Sequence, residues 1–177
     1  MGWGASVFPL SFFDTVENWA WLTDVVVGPM PAVPPAGHPP PTVRHVLRVL
    51  RAAGCQGDAC FTLEEGESCA LFEAESGDEP RPEVDMGGVS LHLLGATTPE
   101  GTPPEIRAAY ERPVPVVGLV EAISFSKPHP HAVLRAASAM SALWGQVVAM
   151  EHSGCESVVV SPSETLESIC ARTPWAT

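Results

Sequence analysis

The sequence predicts an α+β fold: an antiparallel or mixed sheet with two long helices packed on one face, arranged as two helix-plus-strands halves. Three observations predict it. Apolar residues recur at helical spacing in 43–50 and again in 133–144. Alternating or continuous apolar runs mark extended segments at 59–63, 85–95, 114–125, 147–150 and 158–160. A helix followed by strands occurs twice, at 42–95 and 129–160, although no sequence period accompanies the repetition.

Taken in order, Asp14-Thr15-Val16-Glu17 has the reciprocal spacing of a capping box, and Val16, Trp19, Ala20 and Thr23 then share a helical face. A helix this short does not persist alone in water, so it is expected to dock through Trp19 or Trp21. Residues 28–41 carry seven prolines in fourteen positions and read as an extended connector. The organisation implied is an N-terminal docking segment at 1–27, a proline-rich linker at 28–41 and an α+β domain at 42–177. That domain opens at Thr42 with Val43, Val46, Leu47 and Leu50 on one helical face, Arg44, Arg48 and Arg51 on another, and Gly54 as the stop.

Ala59, Phe61 and Leu63 then alternate, Glu65-Gly66 forms a turn, and Ala70 and Phe72 return, which predicts a hairpin. In 85–95, Val89, Leu91 and Leu93 face one way and Ser90, His92 and Leu94 the other. Thr102-Pro103-Pro104-Glu105 caps a short helix ended by Pro113, and 114–125 reads as a long central strand. The stretch SKPHPH at 126–131 poses a choice between a reactive histidine pair and a helix entry. Ser126 as N-cap, a proline in the first turn, and Val133, Ala137, Met140 and Trp144 at spacings of four, three and four favour the entry. Ser161-Pro162-Ser163-Glu164 opens a terminal helix with Leu166, Ile169 and Cys170 on its inner face.

Composition bounds function. The 177 residues suffice for one core, and no apolar run is long enough to span a bilayer. With no basic leader at Met1-Gly2-Trp3-Gly4, a soluble, cytoplasmic protein is expected. Five cysteines at irregular spacing fit free thiols, Cys60 and Cys69 being the one pair a hairpin would bring near each other. The net charge of −12, with Lys127 the single lysine, argues against nucleic acid, whose binding rests on clustered Lys and Arg. Ten carboxylates lie between Asp58 and Asp85 against Arg81 alone, so that stretch projects a negative field.

Chemical motifs are sparse. Neither GxxxxGK[ST] nor GxGxxG, GxSxG, HExxH or CxxC occurs, and no cofactor is called for. The leading expectation is an acidic protein-binding module, an inhibitor or immunity-type protein that neutralises a basic partner such as a bacterial toxin. Glu64, Glu65, Glu67, Glu73, Glu75, Asp78 and Glu79 would steer that partner, and Trp3, Trp21 or Trp175 would anchor it. A second reading is a small metal-dependent enzyme or small-molecule binder. Glu121 shares a predicted strand face with Val117, Leu119, Ile123 and Phe125, and a lone carboxylate there needs a counterpart, with His92 a candidate on the neighbouring strand. The element order of this reading resembles that of small two-module metalloenzymes that use His and Glu on a cupped sheet. A nucleophilic Cys155 beside His152 and a structural subunit of a larger assembly complete the expectations.

Overall fold

A computed structural model describes residues 3–64, 83–95, 113–153 and 156–176. These residues form a six-stranded mixed sheet and four α-helices, an α+β fold. In chain order the elements are β1 (Gly4–Pro9), α1 (Val16–Val25), α2 (Val43–Ala52), β2 (Gln56–Ala59), β3 (Asp85–Leu93), β4 (Val120–Ser126), α3 (Pro130–Trp144), β5 (Val147–Glu151), β6 (Ser157–Val160) and α4 (Leu166–Arg172). The sheet order is β2-β3-β4-β1-β5-β6. Every pairing is antiparallel except β2 with β3.

The N-terminal segment expected to dock as an appendage supplies an inner strand of the sheet. Strand β1 pairs with β4 through Gly4–Ser126 to Val7–Ile123 and with β5 through Ala5–Glu151 to Pro9–Val147. Its sequence, GASVFP, combines small residues with a terminal proline and lacks the β-branched alternation that marks strands, so only the neighbours on both sides define it. Strands from before and after the proline-rich stretch thus share one hydrogen-bonded layer.

One face of the sheet carries the main core. Ala5, Val7, Val89, Ile123, Phe125, Val147, Ala149, Val158 and Val160 meet Val133, Ala137, Met140 and Trp144 of α3 and Ile169 of α4. All four apolar residues predicted for α2 are buried in the same cluster, and α2 packs against α3. Helix α3 has 15 residues and α2 has 10, so one of the two helices expected to be long is long. The helix-plus-strands halves are not equivalent either, because β2 runs parallel to β3 while β5 runs antiparallel to β6.

Among the described residues, α1 packs on the other face. Helix α1 packs Leu22, with Trp19 and Val25, over Val148 and Val159 beside Leu10 and Phe13. Trp19 docks as expected, but the buried side is rotated from the predicted one, since Leu22 is buried while Val16 is 82% exposed and Ala20 and Thr23 face solvent. Thr15, one residue later than the expected Asp14, caps it by accepting a hydrogen bond from the Asn18 N–H at 3.2 Å.

Two other helix starts also differ from the sequence reading. Ser126 ends β4, and His129 caps α3: its Nδ1 accepts from the His131 N–H at 3.3 Å, with Pro130 at the first helical position. The two rings then meet edge to face, with centroids 5.3 Å apart, because His129 stands outside the helix. Thr165 caps α4, and the expected Glu164 to Ser161 bond forms at 2.8 Å in the preceding turn. The long strand predicted at 114–125 is broken as well. Gly118 N–H donates to Pro115 O at 2.8 Å in a turn, and β4 begins only at Val120. That turn holds the start of α2, since Val43 N–H and Arg44 N–H donate to Gly118 O and Val116 O.

The linker is extended, as its prolines dictate, but it lies against the body. Pro41 O accepts from Val120 N–H at 2.8 Å, Met30 packs on the α1 cluster, and the His38 ring fills the space beside Gly145. Gly145 closes α3 at φ +72°, a conformation that favours glycine, and a Cβ there would lie 2.7 Å from His38 Nε2, so any side chain would also push the ring aside. No helix among the described residues is long and apolar enough to cross a membrane.

Candidate functional site

Helix α1 packs on the β1–β5–β6 side of its face, and the β3–β4 side of the same face presents polar side chains. Strand pleating puts Ser6 opposite Ser124 and His92 opposite Ala122 on this side, alternating with core residues on the other. The result is a continuous chain of polar contacts across three strands and the turn after β5. His92 Nε2 lies 2.7 Å from Ser124 Oγ, Ser124 Oγ lies 2.8 Å from Ser6 Oγ, and Ser6 Oγ lies 2.9 Å from His152 Nε2. Ser6 is 5% exposed, Ser124 is half-buried, and both histidines reach solvent.

A β-bulge shapes one end of this array. His92 pairs with Ala122 but Leu93 pairs with Val120, leaving Glu121 as the extra residue. Glu121 therefore does not hold the place in an alternating apolar face that the sequence suggested. It is half-buried, lines a groove and acts on His92 electrostatically. His92 titrates below its ordinary range because partial burial disfavours the imidazolium. Glu121 opposes that shift and His152 adds to it.

The groove, of about 310 Å³, runs between the end of β1, the linker and the start of β4. Asp14, His38 and Glu121 give it polar walls, and Phe12 and Trp144 apolar ones. An aromatic cluster flanks it: Phe12 and Phe13 meet edge to face at 5.8 Å, and Trp21 stacks on Phe13 at 6.3 Å. Phe12 is 50% and Trp21 43% exposed, a large apolar area to leave in water beside two carboxylates.

The structure separates the residues named from sequence. Trp21 is on the surface, as an anchor requires. Trp3 and Trp175 meet at a tilt of 53° with ring centroids 5.6 Å apart, and both pack partly buried against the main core. Glu64 is exposed, while Glu65, Glu67, Glu73, Glu75, Asp78 and Glu79 lie outside the described residues, together with the Glu65-Gly66 turn, the returning Ala70 and Phe72, Cys69, the 102–105 cap and Cys155. Of the other acids in that stretch, Asp58 is exposed and Glu83 lies 3.5 Å from His131 Nδ1. Asp85 is turned inward, its Oδ1 accepting from Gly87 N–H at 2.8 Å. Glu121 and His92 do come to one end of the sheet, but the His92 nitrogen is engaged by Ser124. No cluster of three or more His, Cys, Asp or Glu that could hold a metal ion occurs among the described residues.

Sequence reasoning missed Ser6, Ser124, Asp14 and His38 as site residues. Ser6 and Ser124 carry a legible signal, each a polar residue between apolar ones in a short run, but their partnership depends on strand order. No known family model matches this chain, and neither the curated proteins nor the solved structures hold a match to it.

Proposed function

We propose that this α+β protein works by binding another protein, one with a basic surface, as an inhibitor or immunity-type module does when it covers a cationic cleft. The observation that carries the reading is the groove holding Asp14 and Glu121 beside the exposed Phe12 and Trp21. Hot spots in interfaces pair a large aromatic anchor with charged groups that a partner desolvates. A net charge of −12 supplies long-range attraction to a cationic partner and raises the encounter rate at low salt.

The test compares wild type with Asp14→Asn/Glu121→Gln and with Trp21→Ala as baits in co-purification from the native host, followed by association kinetics on the recovered protein. Support consists of a basic protein retained by wild type and lost by both variants, with an association rate that falls steeply as salt rises. Retention of the same proteins by all three baits, or association indifferent to salt, overturns the reading.

A further inference from the structure

The His92–Ser124–Ser6–His152 chain obeys a proton count. Three contacts need three hydrogens, and the two hydroxyls supply two. The third must come from an imidazole Nε2–H, and where only one ring carries its proton on Nε2 the other accepts. In that tautomer pair, with both rings neutral, the chain has two polarities. In one, His152 donates to Ser6, Ser6 to Ser124, and Ser124 to His92; in the other every bond is reversed. Exposure distinguishes them chemically. Ser6 is 5% exposed and no reagent reaches it, whereas Ser124 is half-buried beside a solvent-facing His92. The first polarity therefore points the hydroxyl hydrogen of the accessible serine at an imidazole lone pair 2.7 Å away, while Ser6 donates to the same oxygen.

From this arrangement we infer that Ser124 is the nucleophile of an acyl-transfer site, with His92 as its general base and a small uncharged or cationic carboxylic ester as substrate. Ser124 Oγ bonds to the ester carbonyl carbon as its proton passes to His92 Nε2, and the carbonyl electron pair moves to oxygen. As that pair returns, the bond to the alkoxy group breaks and His92 gives it the proton, releasing an alcohol. Water then enters by the same sequence, freeing the carboxylic acid and restoring Ser124.

Glu121 favours the imidazolium that forms on His92, and His92 is held below its ordinary pKa, so it is the free base at neutral pH. Ser6 and His152 are positioning residues: they fix the polarity and so hold the Ser124 hydroxyl hydrogen on His92. The ligand class follows from the surroundings. Leu94, two residues beyond His92, and Leu119 lie exposed, joined by a Leu94 N–H to Leu119 O bond of 2.8 Å, and they offer an apolar rest for the acyl group. Glu121 and the net charge repel anionic esters.

The experiment exposes the full-length native chain to a fluorophosphonate probe, locates the adduct by peptide mass spectrometry, and follows 4-nitrophenyl acetate hydrolysis in parallel. The expected result is one adduct on Ser124, formed faster as pH rises through the His92 titration. Ser124→Ala loses it, and His92→Gln slows it by at least about 100-fold. Ser6→Ala slows it by roughly tenfold, the worth of the one hydrogen bond that fixes the direction of the Ser124 hydroxyl. Absence of an adduct on Ser124 in the native chain overturns the inference, as does labelling unchanged in a folded His92→Gln. The native-chain mapping decides even where a variant fails to fold, and neither result bears on the protein-binding reading.

Discussion

Gly4 has no side chain because His152 occupies the place of one. A Cβ on Gly4 would lie 2.5 Å from His152 Nδ1 and 3.2 Å from Phe125 O. Gly4→Ala must displace the imidazole from Ser6, and the expected cost in a urea titration is about 1–3 kcal/mol. His152→Ala clears the space, so the double variant should be less destabilised than the sum of the single changes, as neighbouring sites require. His92 adds a pH dependence of definite sign. Its folded-state pKa is depressed, so the unfolded chain binds the proton more readily. The contribution of His92 to stability is complete above its unfolded value near 6.5 and is lost as pH falls below it. Urea midpoints of wild type and His92→Gln from pH 7.5 down to 5 should show a steeper decline for wild type. Cys55 behaves in the opposite sense. Burial pushes its thiol up to about 12, with Arg135 opposing, so it destabilises the fold only as pH climbs above 9. Alkylation at pH 8 should modify the exposed Cys60 well before Cys55, as peptide mass spectrometry will show.

Among the elements, the helices were the most legible. Val43, Val46, Leu47 and Leu50 in α2, and Val133, Ala137, Met140 and Trp144 in α3, are buried as their spacing predicts. A 3.6-residue repeat needs no knowledge of the partner, because whichever side is apolar turns inward. Leu50→Ala should therefore cost about 2–5 kcal/mol, read by chemical denaturation. The capping residues were harder to assign, since several polar residues near each helix start can serve and backbone conformation selects among them. Thr15 displaces Asp14, His129 displaces Ser126 and Thr165 displaces Ser161. Helix α1 was misread for a different reason. Its apolar residues surround the axis, with Val16 and Trp21 exposed and Leu22 buried, so the pattern alone does not choose a side. Strand β1 illustrates the same limit: five small or aromatic residues and a proline become an inner strand only because β4 and β5 present matching edges.

For the molecule as a whole, the proposed binding to a basic protein would rest on charge and shape together. Neutralising Glu64, Glu65, Glu67 and Glu73 together should slow association with a basic partner and flatten its salt dependence while leaving the fold intact. Stopped-flow or surface-binding kinetics at two salt concentrations will read it. Trp21→Ala should instead act on dissociation, costing on the order of 2 kcal/mol of affinity. The sequence by itself determined the α+β class, the inward faces of α2 and α3, the extended path of the proline stretch and the acidic balance. Each of these depends on composition or on a period of a few residues. Tertiary structure alone decided that the N-terminus enters the sheet, that a bulge aims Glu121 at a groove, and that Ser6 and His152, 146 residues apart, come within a hydrogen bond. Those outcomes follow from which strands lie side by side, and strand order is set by how the helices share a single core, which no local pattern records.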